Sequence, residues 1–434
     1  MNDKKKKLTG VMHSLASTGF FSVFFSSTIC KILSFFGGMI IVRVLTKAEY
    51  GEYGHIMNCF GMLSLLGDLG FNSATMQCCN ESHQDPNKRD SYFIIGYIRG
   101  IAFTLLTCIA LLVSPLFYPY RSPEAAKLTQ WLCLLPLIQT TNSFLSINLR
   151  VRMENSRYAL INVFQSVTTY LVILPASYWI GIKGAVLSEY VINTLVLLFS
   201  LFISRKQLGF TFVSSSVSKS DRKSLFKLAF GTQLNNGVSK ALSLLDVFLI
   251  GIFVVDAEVI SSYKVATTIP LALAFIPSAL AIYIVPFFSR NRTNITWVKN
   301  NYYKLTFLCG IGNLLITIGL IALSPFLIPL IFGTQYTDAI ACFCILMVGY
   351  FFSATFSVIS SNIIYTQRKV RANIIITALS GISSCILNVV LIPLFGPIGA
   401  SFAATLVNLI TALLNFGYMI HYIHRANRMP PVRE

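Results

Sequence analysis

Long apolar segments recur along almost the whole chain and are separated by short polar segments. A helix that crosses the hydrocarbon core of a bilayer needs about 20 mostly apolar residues. The pattern predicts six such helices in the first part of the chain, at 17–42, 54–76, 93–117, 128–149, 158–180 and 184–204. It predicts six more at 230–254, 261–288, 305–328, 339–361, 372–395 and 399–422. We therefore expect an all-α membrane protein with twelve transmembrane helices.

A polar, basic segment divides the predicted helices into two sets of six. The expected organisation is a first six-helix half at 1–204, a cytoplasmic linker at 205–229 and a second half with a short tail at 230–434. The halves also resemble each other in sequence, because segment 179–185 matches segment 394–400. Shorter matches, Ser-Pro at 114 and 324 and Ala-Glu at 48 and 257, occur in the same order. The repeat predicts two pseudo-symmetric bundles with a central site where they meet.

The charge distribution predicts the orientation of the helices. Of 434 residues, 55% are apolar and only 12% charged, where soluble proteins have about 25% charged. The net charge of +18 does not indicate a nucleic-acid partner, because Lys and Arg lie in short loops. Loops on the side of the N-terminus hold 25 of the 34 basic residues, and the opposite loops hold five. The positive-inside rule then places both termini in the cytoplasm of a multi-pass protein, which we expect in a bacterial inner membrane.

Residues typical of enzymes and metal sites do not occur in recognisable patterns. The ten cysteines lie mostly inside apolar segments and lack the spacing of a zinc site, and no phosphate-binding Gly-Lys-Ser/Thr loop is present. The predicted external loops are too short for a catalytic domain. The sequence therefore predicts no catalytic residue, cofactor or metal, and a protein that is not an enzyme.

Four basic residues fall inside predicted transmembrane helices, where ionisable groups usually face a cavity or a partner. Lys31 and Lys240 lie on the first helix of each half and are separated by the repeat offset. Arg99 and Lys264 lie nearer the helix ends, where a structural role is at least as well supported. We interpret all four as candidates for a cationic substrate pathway.

Two acidic residues also fall deep in predicted helices, Asp68 on the second and Asp246 on the seventh. They permit a second interpretation of the lysines. In that interpretation Asp68 pairs with Lys31 and Asp246 with Lys240, as structural ion pairs that connect neighbouring helices.

Several segments resemble the polysaccharide-unit flippases, the O-antigen type, of the multidrug/oligosaccharidyl-lipid/polysaccharide exporter superfamily. Segment 43–54 is similar to their first external turn, with Arg, Leu-Thr and Glu-Tyr-Gly in order. Segment 68–72 is similar to the polar end of their second helix, and segment 332–339 to the turn before their tenth. Asp246 matches a common acidic position of the seventh helix. The resemblance covers nearly the whole chain.

This resemblance implies a V-shaped pair of bundles that alternates between inward-open and outward-open states. It implies a substrate of sugars on undecaprenyl pyrophosphate, for which Lys31 and Lys240 would be suitable ligands. It also implies coupling to an ion gradient, with Asp68 and Asp246 as the carboxylates that bind the ion. The expected partners are membrane lipids, the lipid-linked oligosaccharide, and a polysaccharide polymerase with its chain-length regulator.

Two other functions are compatible with the sequence. A multidrug antiporter of the same superfamily would need an acidic cavity for cationic drugs, and central lysines argue against it. A non-transporting scaffold for polysaccharide assembly would tolerate neutralisation of all four deep charges, Lys31, Lys240, Asp68 and Asp246.

Overall fold

The computed structural model describes residues 20–65, 67–118, 120, 122–205, 217–254 and 256–428. Much of the predicted linker, the beginning of the first predicted helix and both chain ends lie outside these residues. Within the described residues the secondary structure is helical and contains no β-strand. The chain divides into two compact units, Met1–Leu244 and Leu245–Glu434. The two six-helix halves expected from the sequence, 1–204 and 230–434, stay a prediction.

The first unit contains seven α-helices and most of an eighth among its described residues. These are α1 (Phe20–Val44), α2 (Lys47–Leu63), α3 (Phe71–Glu81), α4 (Pro86–Val113), α5 (Pro123–Trp131), α6 (Leu135–Val151), α7 (Asn155–Ser204) and α8 (Lys219–Phe253). Short 3₁₀ turns, Ser114–Leu116 and Leu132–Leu134, follow α4 and α5.

The second unit contains the end of α8 and six further α-helices. These are α9 (Ala257–Leu273), α10 (Phe275–Arg290), α11 (Ile295–Phe332), α12 (Ala339–Phe352), α13 (Val358–Thr366) and α14 (Val370–Arg428). A 3₁₀ turn, Thr334–Tyr336, precedes α12, and the π-helical turn Ser353–Ser357 connects α12 to α13.

Local sequence explains where several helices begin. Thr46 and Glu49 form a capping box at the start of α2, in which each side chain binds the backbone of the other residue. The side chain of Asp85 accepts a hydrogen bond from the backbone N–H of Lys88, and Pro86 occupies the first turn of α4. Ser122 and Pro123 begin α5 in the same way. These caps satisfy donors that would otherwise lack partners at a helix start.

The repeated motif produces the same local geometry in both units. Gly181 inside α7 and Gly396 inside α14 leave the helical conformation, with φ of 62° and 57°. Three residues later, Gly184 and Gly399 approach backbone carbonyls so closely that a Cβ would lie 1.9 Å from Ala176 O and 2.0 Å from Leu391 O. Each motif therefore needs a glycine for conformation and a second one for space.

Eight helices of the described residues are long and apolar enough to cross a membrane, or nine if the bent helix α8 counts as one span. The 50-residue helix α7 and the 59-residue helix α14 each count once in that number. Together with the apolar composition, this number identifies a multi-pass membrane protein. The pattern of the sequence predicted this class, whereas the number of twelve stays a prediction.

The second predicted helix differs from expectation because it is interrupted. Helix α2 ends at Leu63 and α3 begins at Phe71. The intervening segment contains Leu69 and Gly70, which both have positive φ. Glycines at 67 and 70 explain the break, because they weaken a helix and permit this backbone conformation.

Candidate transport site

A polar cavity of about 420 Å³ lies inside the first unit, among α3, α6 and α7. Ten of its thirteen lining residues are polar. Six of them are carboxamides, namely Asn72, Gln139, Asn142, Asn162, Gln165 and Asn193. The guanidinium of Arg150 lies 5.3 Å from the ring centre of Tyr158 at the end of the cavity formed by the last turn of α6. Such a concentration of amides is unusual in membrane-spanning helices, where polar groups are costly and mark functional sites.

Hydrogen bonds connect this cavity to a half-buried carboxylate, that of Glu189. Asn142 Nδ2 donates to the carbonyl oxygen of Asn193 across 3.0 Å. Asn193 Nδ2 donates to Glu189 O at 2.8 Å and reaches Glu189 Oε2 at 3.5 Å. Tyr53 donates its hydroxyl to Glu189 Oε1 across 3.4 Å. Meanwhile Asn142 Oδ1 is buried without a hydrogen-bond partner, so the cavity offers an unused acceptor.

Asp68, one of the two predicted ion-binding residues, lies at the start of α3. Its Oδ1 accepts from the N–H of Gly70 at 3.2 Å, and its Oδ2 accepts from the N–H of Asn72 at 2.6 Å. A carboxylate in this position caps the helix and interacts favourably with its positive end. Asp68 thereby holds Asn72 at the cavity, so it belongs to the polar network of the first unit.

Asp246, the other predicted ion-binding residue, is held by two side chains of the second unit. Tyr263 donates its hydroxyl to Asp246 Oδ2 across 2.9 Å. Asn388 Nδ2 donates to Asp246 Oδ1, also across 2.9 Å. Tyr263 and Asn388 are fully buried. Each unit thus contains one carboxylate that accepts from a tyrosine and an asparagine, although the residues involved do not correspond under the sequence repeat.

Arg99 lies in a separate basic cleft of about 560 Å³ in the first unit. Its Nη1 donates to the carbonyl oxygen of Arg222 on α8 across 3.2 Å. Lys219 and Lys223 line the same cleft, together with two phenylalanines. Arg99 is among the residues predicted for the substrate pathway, whereas Lys219, Arg222 and Lys223 fall in the predicted linker.

The remaining predicted pathway residues lie elsewhere among the described helices. Lys31 on α1 and Lys240 on α8 have exposed side chains, and neither lines the polar cavity or the basic cleft. Lys264 is half-buried on α9, directly after Tyr263. Whether these lysines meet substrate stays a prediction.

The sequence contained a signal for the cavity that was not used. Along α6, polar residues occur at 139, 142, 143, 146 and 150, and along α7 at 158, 162 and 165. These spacings of three and four place each set on one helix face. Apart from Arg150, both stripes consist of uncharged polar side chains, whereas the predicted site residues are all charged.

The sequence comparison identifies the family. Residues 40–341 match the family described as polysaccharide biosynthesis protein. The chain belongs to this family. The match spans more than two thirds of the chain and confirms the family-level resemblance drawn from segments 43–54, 68–72 and 332–339.

A curated relative and two solved structures extend the comparison. The chain is 22% identical over 402 residues to the probable low-salt glycan biosynthesis flippase Agl15 of Haloferax volcanii, covering 90% of this chain and 80% of the relative. The lipid II flippase MurJ in an inward closed conformation gives a TM-score of 0.74 at 16% identity, over 93% of this chain and 89% of that one. A multidrug resistance transporter of the MATE family and the MOP superfamily, in an inward-facing conformation, gives a TM-score of 0.70 at 15% identity, over 92% of this chain and 96% of that one. At these identities the structures establish a shared fold.

Proposed function

We propose that this protein is a flippase that moves lipid-linked oligosaccharides, most specifically sugars on undecaprenyl pyrophosphate, from the cytoplasmic to the outer leaflet of a bacterial inner membrane. Membership of a polysaccharide biosynthesis family and similarity to a glycan flippase of an archaeon support the process. The observation that carries the proposal is the polar cavity of the first unit. A cavity rich in carboxamides inside a membrane protein is suited to a neutral, hydroxyl-rich cargo.

The chemistry of the cavity favours sugars over cationic drugs. Carboxamides provide both donors and acceptors, so each can pair with sugar hydroxyls in either direction. The volume of about 420 Å³ falls within the ~300–1,000 Å³ typical of small-molecule sites. The charged residue that lines the cavity is Arg150. Its positive charge would repel a cationic drug and so disfavours binding of that class of substrate.

The proposed flippase has twelve membrane spans. Helices α7 and α14 contain 50 and 59 residues, which corresponds to about 75 and 88 Å along their paths at 1.5 Å per residue. A hydrocarbon core of about 30 Å needs only part of either helix, so we assign two spans to each, joined at Gly181 and Gly396. The nine spans counted above among the described residues include α7, α14 and the bent helix α8 once each. The second spans of α7 and α14, together with α2 and α3 taken as one interrupted span, bring the total to twelve. Both termini are cytoplasmic by the positive-inside rule.

We assign coupling to an ion gradient primarily to Asp246. Its carboxylate accepts hydrogen bonds from a phenol and an amide, which favour its ionised form. The amide oxygen of Asn388 is buried without a hydrogen-bond partner and is available as a second ligand for a small cation. Asp68 stays a second candidate, with an additional structural role in capping α3. Alternating access of the two halves would carry substrate and ion in turn, with no catalytic residue or cofactor.

The proposal is tested by removing carboxamides from the cavity. Gln139→Leu and Gln165→Leu remove two such groups while approximately conserving volume, and Gln77→Leu on the exposed surface of α3 is the matched control. Translocation of a lipid-linked oligosaccharide is measured with purified protein in liposomes. Each lost hydrogen bond to cargo is worth about 0.5–1.5 kcal/mol, so the double variant should transport about tenfold more slowly.

Three results decide the proposal. Slower transport by the double variant, with normal transport by Gln77→Leu, supports it. Equal transport by all three proteins excludes the cavity from the sugar pathway. Failure of the wild-type protein to transport the lipid-linked oligosaccharide, in the same assay, contradicts the proposed function itself.

A further inference from the structure

The basic cleft around Arg99 has a pronounced separation of charged and apolar groups. Lys219, Arg222 and Lys223 line it from the first two turns of α8, and Arg99 contributes a fourth cation from α4. Phe226 lines the same cleft one turn further along α8, and Phe103 one turn further along α4. Both helices therefore place positive charge nearer their start and an aromatic ring deeper.

The two helices begin at the same end of the first unit. Lys88, in the first turn of α4, lies 3.5 Å from Asp221, in the first turn of α8. Further along, Arg99 Nη1 donates to the carbonyl oxygen of Arg222. These contacts place the first turn of α8 against α4, with Lys88 on one side of it and Arg99 on the other. The charges thus form one group and the rings another.

The spacing of residues on α8 makes the cleft a single face. Positions 219, 222, 223 and 226 follow the i, i+3, i+4, i+7 rule of one helix face. Asp221, the neighbouring acidic residue, points to Lys88 and also accepts the N–H of Ser218 at 3.2 Å. Its carboxylate is therefore occupied outside the cleft, and the positive end of the α8 dipole adds to the four cations.

Aromatic packing forms an apolar floor beneath the charges. The rings of Phe71 and Phe103 stack with centres 5.8 Å apart, and Phe226 lies 6.0 Å from Phe71 and 6.3 Å from Phe103. Phe71 is completely buried, so the floor is continuous with the core of the unit. Four cations beside such a floor suit an amphiphile whose head group is a multiply charged anion.

We propose that this cleft binds the pyrophosphate head group of the lipid-linked oligosaccharide in the cytoplasmic leaflet, before the sugars enter the polar cavity. This inference rests on the proposed function and adds a docking site outside that cavity. Lysine and arginine neutralise the phosphates, while Phe103 and Phe226 contact the first apolar units of the lipid. A glycerophospholipid such as phosphatidylglycerol carries one phosphodiester with a single negative charge, so it binds the cleft more weakly.

The experiment measures binding, which separates this inference from the transport proposal. Full-length protein in neutral nanodiscs is titrated with a polyprenyl pyrophosphate that carries no sugar. Lys219→Gln/Lys223→Gln removes two cations of the cleft. Lys227→Gln/Lys304→Gln removes the same charge from exposed positions that do not line it. The cleft variant should bind at least tenfold more weakly, and the control variant within twofold of wild type.

Two competitors distinguish the sources of phosphate. We expect inorganic pyrophosphate to displace the lipid weakly, because it lacks the apolar part, and phosphatidylglycerol to compete only at large excess. The binding should also weaken as salt rises, because the cleft is open to solvent. Equal binding by the cleft and control variants overturns the inference, and so does equally effective competition by phosphatidylglycerol. Neither result would affect transport through the polar cavity.

Discussion

The hydroxyl of Tyr263 donates a hydrogen bond to the carboxylate of Asp246 across 2.9 Å, and both residues lie in the second unit. The bond joins α8 to α9 through a side chain that is only 1% exposed. Asn388 on α14 completes the contact by donating to the other carboxylate oxygen. These two donors fix the position of the carboxylate, and because both are neutral they do not neutralise its charge. Such a carboxylate is suited to binding and releasing a cation.

We predict that Asp246→Asn abolishes the dependence of transport on a proton or sodium gradient while the protein still inserts into the membrane. The substitution removes the charge but keeps a side chain of the same shape. Asp256→Asn is the control, because Asp256 caps α9 and asparagine caps helices equally well. Gradient dependence is measured in liposomes. Unchanged dependence in Asp246→Asn would remove this residue from the coupling mechanism.

The motif glycines should be intolerant of substitution at four positions. A side chain at Gly181 or Gly396 is strained by the positive φ, and one at Gly184 or Gly399 collides with a backbone carbonyl. With ψ of −141° and −131°, Gly181 and Gly396 have an extended conformation at positive φ that is nearly restricted to glycine, and such backbone strain costs an L-residue about 1–3 kcal/mol.

Thermal unfolding in detergent, followed by size-exclusion chromatography, checks this prediction. The four Gly→Ala variants should lose folded protein at lower temperature than wild type. Gly312→Ala is the control, since a Cβ there meets nothing within 4 Å, and alanine favours helix by about 1 kcal/mol. Normal melting of Gly184→Ala and Gly399→Ala would contradict the account of the repeat.

The lysines on the first helix of each half provide a third test. If Lys31 and Lys240 face the anionic substrate, Lys31→Gln and Lys240→Gln should express normally and transport slowly, with the double variant slowest and Arg partly restoring transport. The carboxylate of Asp68 is used as a helix cap. We therefore expect Asp68→Ala to lower the abundance of Lys31→Ala further. Recovery of both abundance and export in that pair would establish a structural ion pair instead.

The orientation of the chain can be tested by labelling single cysteines. All ten native cysteines are free thiols, so each is first replaced. Cysteines introduced near Lys88, Arg152, Lys219, Arg292 and Lys369 should react only from the cytoplasm. Those near Glu49, Pro123, Lys183 and Asp338 should react from outside. A reproducible inversion after the sixth predicted span would contradict two halves of equal orientation.

Sequence alone predicted the fold class well because bilayer thickness imposes a long apolar signal that local details cannot hide. It also identified the repeated glycine motif, whose two copies have the same backbone geometry at Gly181 and Gly396. The break between α2 and α3 was harder to predict. Glycines within a span are common, and the sequence does not show which of them adopts a left-handed backbone. In the structure, Gly70 has a positive φ, and a Cβ there would collide with neighbouring atoms.

None of the predicted site residues lines the polar cavity, and there is a physical reason why the cavity was not predicted. Charged residues inside spans stand out in sequence, but Asp246 and Arg99 make their contacts outside that cavity. Their partners are far away in the chain: Arg99 and Arg222 are 123 residues apart, and Asp246 and Asn388 are 142 apart. Such pairs depend on how helices pack, which a single sequence does not encode in any local pattern.

The central claim is that the protein itself moves a lipid-linked oligosaccharide across a bilayer. The most direct measurement reconstitutes the purified wild-type chain alone in liposomes that contain a fluorescent lipid-linked oligosaccharide. A membrane-impermeant reagent then follows the appearance of sugars in the opposite leaflet. The account predicts protein-dependent translocation that an imposed ion gradient accelerates and that Gln139→Leu/Gln165→Leu slows about tenfold, as two lost hydrogen bonds imply. Translocation no faster than in empty liposomes, from correctly folded protein, would contradict it and would favour a scaffold.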